Sequence, residues 1–205
     1  TEEKKDKNYR SGKQSALQIT GTTAETASLS IMRFNSSGGS SELILGQSRD
    51  SSIGGTTVVQ NADNVGMIRF VADDGTDYES TVAGIRCDID AAPGANDTAG
   101  RLRFLTSADG ANSITERMRI DSSGNLLVGT TSNNKNLVGA SLNADGDGYF
   151  TRNDTLLYLN RLSSDGELLR FSQAGNLEGN IEVSGTTVSY NGFTGTHWSR
   201  LADNS

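Results

Sequence analysis

Apolar and polar residues alternate with a period of two over short stretches of this chain, and no segment of ten or more residues carries the 3.6 spacing of an amphipathic helix. Side chains that alternate in this way point to opposite faces of a pleated strand. The pattern predicts strands over residues 16–20, 29–34, 43–45, 57–60, 67–72 and 82–89, then over 102–106 and two short strands within 115–131. Further strands are predicted over 138–142, 149–150, 156–162, 167–171, 179–183 and 187–190. The chain is therefore expected to be all-β, built from short strands and glycine turns.

One alternating cassette recurs four times, as Met32-Arg33-Phe34, Ile68-Arg69-Phe70, Leu102-Arg103-Phe104 and Leu169-Arg170-Phe171. The first three copies lie 36 and 34 residues apart, a spacing that marks stacked, similar units. Within each copy the apolar residue and the phenylalanine share one strand face, and the arginine takes the other. A second cassette, Gly-Thr-Thr, begins at Gly21, Gly55, Gly129 and Gly185. It joins a turn that uses glycine's freedom to a β-branched strand start. The uneven spacing implies units that are stacked but not identical.

Turn-rich stretches divide the chain. Residues 1–14 are charged and aperiodic, and read as a linker or tail. Residues 15–112 form a β-repeat domain, with Asp73-Asp74-Gly75-Thr76 as a hairpin signal and the only proline, Pro93, in a loop between repeats. Residues 113–135 are expected as a narrow, stalk-like connector, and 136–205 as a smaller C-terminal β domain.

Composition changes the picture of assembly. Only 34% of the 205 residues are hydrophobic, while 24 are glycine. So few apolar residues are a weak basis for a deep single-chain core, and a core shared between copies is the simplest remedy. The net charge of −7 argues against a nucleic-acid or anionic-membrane partner. No apolar run approaches the roughly 18 residues of a membrane span, and the first residues do not read as a signal peptide, so no membrane insertion is expected. Either a longer precursor is trimmed or export takes another route.

Candidate chemistry is sparse. The single cysteine, Cys87, has no intrachain disulfide partner and reads as a small filler in a strand, with an interchain or reactive role as the alternative. Asn143 to Asp154 imitates the oxygen spacing of a calcium loop, but it begins with Asn, ends with Asp and lacks flanking helices, so a polar turn is expected and no metal. His197 is the only histidine, and no nucleophile-elbow pattern accompanies it. Asp73-Asp74 and Asp88/Asp90 have the residue type of glycoside cleavage but no readable separation. The sequence is expected to hold no catalytic set and to need no cofactor. Arg33, Arg69, Arg103 and Arg170 are expected to pair with aspartates across a chain interface, with direct ligand contact as the alternative.

The runs from Gly66 to Tyr78, Pro93 to Asp97, Gly100 to Phe104 and Thr115 to Thr131 resemble the shaft and distal regions of tailed-bacteriophage tail fibres and tailspikes. Val183 to Leu201 is similar to the segment that leads, in such proteins, into a self-cleaving intramolecular chaperone. The resemblance covers most of residues 55–201 and implies an elongated homotrimer within the virion tail, assembled in the host cytoplasm beside other tail proteins. It also implies attachment to a host-surface glycan or outer-membrane component. The alternatives are a tail connector without a receptor site and a polysaccharide depolymerase. Exposed aromatics in turns, Tyr78, Tyr149 and Trp198, are the receptor-contact candidates, and packing is the alternative for each. Ser205 would be the terminus left by chaperone cleavage, and an engineered end would look the same.

Overall fold

The computed structural model describes residue 17 and residues 19–192, and within them the regular structure is entirely β. Two compact units divide at Asn153 and Asp154.

The first unit contains strands β1 (Asn64–Ala72), β2 (Ser80–Ile89), β3 (Gly100–Ser107), β4 (Ile114–Ile120), β5 (Leu126–Val128), β6 (Gly139–Leu142) and β7 (Gly148–Thr151). They form one antiparallel sheet in sequence order, a meander in which every strand pairs with the next. Tight turns make this order possible. Gly75 and Gly110 take positive φ of 92° and 73° in the β1–β2 and β3–β4 connections, where a side chain would be strained. Asp73, Asp74 and Asp77 each accept backbone N–H groups in the first of these turns, which accounts for the aspartates there. A bulge between Phe104 and Leu105 lets two residues of β4 face one of β3.

The second unit is a three-stranded meander of β8 (Gly166–Gln173), β9 (Asn176–Ser184) and β10 (Thr187–Asn191), with β9 in the middle. The Arg170 cassette lies in β8, with Leu169 opposite Ile181 and Arg170 opposite Asn180.

Several segments differ from the sequence reading. Residues 113–135 do not form a separate stalk: their Ile, Met and Leu alternation pairs with β3 and β6, so they supply β4 and β5 within the sheet. Residues 29–34, 43–45, 57–60 and 156–162 carry strand-like sequence but form no ladder among the described residues. Most of their apolar side chains stand in water, because a short hairpin with nothing to pack on is marginal: Phe34 is 89% exposed and Ile44 79%, while Val59 is half-buried and Leu45 packs over Gly66. The hydrophobic core of the described residues is correspondingly small, consisting of Ile89, Leu105 and Leu127.

Candidate functional site

Register and alternation give the seven-stranded sheet two unlike faces. Arg86, Arg103 and Arg119 lie directly opposite one another on β2, β3 and β4. Three like charges in a row repel, and the neighbouring carboxylates separate them. Asp88, 1% exposed, is 2.9 Å from Arg86 and 2.7 Å from Arg103, and 3.6 Å from Arg101. Glu116 lies between Arg103 and Arg119 and is ion-paired to both. Arg101 also holds Asp90 at 2.7 Å, and Asp90 accepts the Ser122 N–H at 2.9 Å, which ties the β4–β5 turn to the network.

The two carboxylates respond differently to their surroundings. Burial pushes the Asp88 carboxyl up, and Arg101 offsets only part of that cost. Burial also opposes ionisation of Glu116, but hydrogen bonds from Arg119 and Arg103 outweigh it and hold Glu116 below its ordinary range. Arg119 is raised in turn, chiefly by Glu116. Every carboxylate here faces guanidinium groups, so the chemistry of this face is that of a structural ion network.

The opposite face carries the other half of each cassette. Ile68 and Phe70 from β1, Leu102 from β3, Ile120 from β4, Val128 from β5, Leu142 from β6 and Phe150 from β7 fall on it by register. All seven are more than a third exposed, and Ile85, Phe104 and Met118 lie among them. At roughly 80 Å² each, the seven side chains present on the order of 600 Å² of apolar surface, the upper end of the largest patch on an ordinary monomer. A hollow of about 180 Å³ opens in this face, lined by Leu126, Val128, Ala140, Ser141, Leu142 and Phe150. A second hollow, of about 420 Å³ and more polar, is lined by Glu116, Arg117, Val128, Gly129, Thr130 and Thr131.

The residues singled out in the sequence fall in separate places. Arg103 belongs to the buried network and finds its carboxylates within its own chain. Arg170 likewise holds Glu167, at 2.9 Å, within the chain. Arg33 and Arg69 are exposed and donate to Ser37 (3.5 Å) and Thr81 (3.3 Å). Tyr78 is half-buried in the β1–β2 connection. Tyr149 lies on β7, where its hydroxyl donates to Asp147 at 3.2 Å, and that carboxylate pushes its pKa up. Trp198, His197 and Ser205 lie outside the described residues.

Of the segment with calcium-like spacing, residues 143–147 form the β6–β7 hairpin turn, closed by Asn143 N–H to Asp147 C=O at 2.8 Å, and the next residues, Gly148–Thr151, are β7 itself. Among the described residues no group of three His, Cys, Asp or Glu could hold a metal. Asp73 and Asp74 organise their turn, and Cys87 is half-buried on the apolar face opposite Leu102. No described helix is long and apolar enough to cross a membrane.

Alternation assigns the apolar face; the sequence reading pairs Arg103 across a chain interface and misses the intrachain ion network. Its signal is a period-two run of charge on consecutive strands, Arg86-x-Asp88-x-Asp90 and Arg101-x-Arg103, followed by Glu116-x-x-Arg119. No protein-family model matches the chain, and no curated protein is significantly similar to it.

Proposed function

We propose that the chain is a component of a tailed-phage tail fibre or tailspike, built as a homotrimer, which attaches the virion to the host surface. The observation that carries the assembly is the apolar sheet face. A surface of about 600 Å², with Arg117 on Thr106 as a charged group on the same face, approaches the roughly 800 Å² per partner of a standard interface, and copies of the same chain are the partner that is always present. Removing it from water is worth at most about 15 kcal/mol per chain before association costs. The three-fold number and the attachment role come from the resemblance of the 66–131 region to fibre shafts.

In this reading the arginine face is an internal support and the phenylalanine face is the contact between chains. Host binding is multivalent, so sites that are individually weak for a glycan or an outer-membrane component hold the particle firmly. The protein acts as a binding element of the virion and carries out no chemistry on the receptor. The test is binding of the assembled protein to whole host cells, with competition by soluble surface polysaccharide. Saturable, competed binding is expected. Failure of the intact assembly to bind would favour a tail connector, and release of reducing ends from the polysaccharide would replace the adhesin reading with a depolymerase.

A further inference from the structure

The first Arg-Phe cassette has the sequence of a repeat hairpin and the structure of an unpaired arm. In the two complete repeats of the first unit, the second strand begins eleven residues after the cassette arginine, at Ser80 after Arg69 and at Ile114 after Arg103. The same step from Arg33 reaches Ile44, the centre of Leu43-Ile44-Leu45. A glycine with positive φ follows the arginine by six or seven residues in all three, at Gly39, Gly75 and Gly110. Asn35 Oδ1 accepts the Ser37 N–H at 2.9 Å, the same side-chain-to-backbone bond that Asp73 makes to Gly75. Strand, turn and strand are therefore all encoded over residues 29–46, and the ladder is missing.

A hairpin alone is marginal in water and forms when its apolar face has somewhere to pack. That surface exists in the same unit, and the arm touches it at Leu45, which packs over Gly66 at the start of β1, while the cassette residues stay off it. Met32 and Phe34, the apolar pair of the cassette, are 70% and 89% exposed, while Leu142 and Phe150 at the hollow are 56% and 52% exposed. The hollow of about 180 Å³ has the size for an aromatic ring, since a cavity of about 150 Å³ takes benzene. Neither partner brings a charge to the contact.

We propose that Phe34 of one copy enters the apolar hollow between β5, β6 and β7 of a second copy, and that residues 29–46 form their hairpin on that copy's sheet face. The proposal rests on the self-association proposed above and names its contact. Folding the arm onto its neighbour adds to the sheet face the apolar area of Met32, Phe34 and those members of Leu43-Ile44-Leu45 that share their side of the hairpin. Together these reach the size of a stable interface. The arm then orders only as copies meet, so its strands appear on assembly and are absent from an isolated chain.

The test uses the whole chain in two isotopic labels, mixed and reassembled, with a photo-crosslinking group in place of Phe34. Cross-links from position 34 to residues 126–150 of the differently labelled copy are expected. Amides of 29–34 and 43–46 should slow their hydrogen exchange by about tenfold or more as concentration drives assembly, while those of β2 and β3 stay as they were. Phe34→Asp should raise the concentration needed for assembly at least tenfold, and Phe34→Leu should recover most of the loss. An assembled protein whose arm exchanges freely, or whose cross-links fall elsewhere, overturns the arm contact and leaves self-association standing. Cross-links confined to one copy overturn it in favour of folding back on the same chain. A chain that stays monomeric at every concentration overturns both.

Discussion

Replacing Leu142 with lysine separates the two roles the apolar face could have. Leu142 lies on β6 at the rim of the hollow and is 56% exposed, so a single chain has little to lose there. The cost to the folded monomer is expected to stay within about 1 kcal/mol, the span of strand propensity. In the assembly about 100 Å² of leucine surface would be dry, worth about 2.5 kcal/mol at 25 cal/mol per Å². That alone weakens association about 60-fold, before the cost of burying an ammonium group. The chain carries a net charge of −7, so the added positive charge lowers the repulsion between copies, and repulsion cannot be the cause of weaker association. Sedimentation equilibrium gives the dissociation constant, and urea unfolding below that concentration gives the monomer stability. A variant that associates as tightly as the parent, or that loses several kcal/mol of monomer stability, would refute the assignment of this face to the contact between chains.

The ion network makes a different prediction, because Glu116 separates Arg103 from Arg119. Glu116→Gln should destabilise the first unit by about 3 kcal/mol in urea unfolding at neutral pH, and a change under 0.5 kcal/mol would show the pairs to be idle. Acid should act through carboxylates held below their ordinary range. Asp63, lowered to about 2 by Arg49 and the Gln60 N–H, and Glu116 contribute stability that is full above about pH 4.5 and is lost as pH falls through their folded values. Asp88, pushed up by burial, works in the opposite sense: its contribution is full below its ordinary range and is lost as pH rises. A pH series of unfolding midpoints with a net fall between about pH 4.5 and pH 2 is expected, and a flat series contradicts it. In the second unit a Cβ at Gly179 would lie 2.6 Å from the Asn191 carbonyl oxygen, a backbone atom that cannot swing aside. Gly179→Ala should therefore cost about 1–3 kcal/mol of that unit's stability and loosen the β9–β10 amides in hydrogen exchange.

The sequence showed much of this fold because its signals were local. The alternation in Ile68-Arg69-Phe70 and Leu102-Arg103-Phe104 fixes both strand and face, and Asp-Asp-Gly-Thr fixes the hairpin between β1 and β2. The same alternation in Met32-Arg33-Phe34 misled, since propensity names a strand but not the surface that holds it. Residues 113–135 misled in the other direction: their turns suggested a thin connector, yet Met118, Arg119 and Ile120 find Val128, Leu127 and Leu126 across the next strand. The ion network was illegible for a further reason. Asp88 meets Arg103 across fifteen residues of chain and Glu116 meets Arg103 across thirteen, so their pairing depends on register and on the bulge after Phe104, which no single-strand pattern reveals.

In the proposed assembly one chain supplies only part of a core. The most direct measurement is the mass of the folded protein by sedimentation and native mass spectrometry across a wide concentration range. Three copies per particle, dissociating with loss of the apolar contact, is the predicted result. A stable, folded monomer at the highest concentration would contradict it.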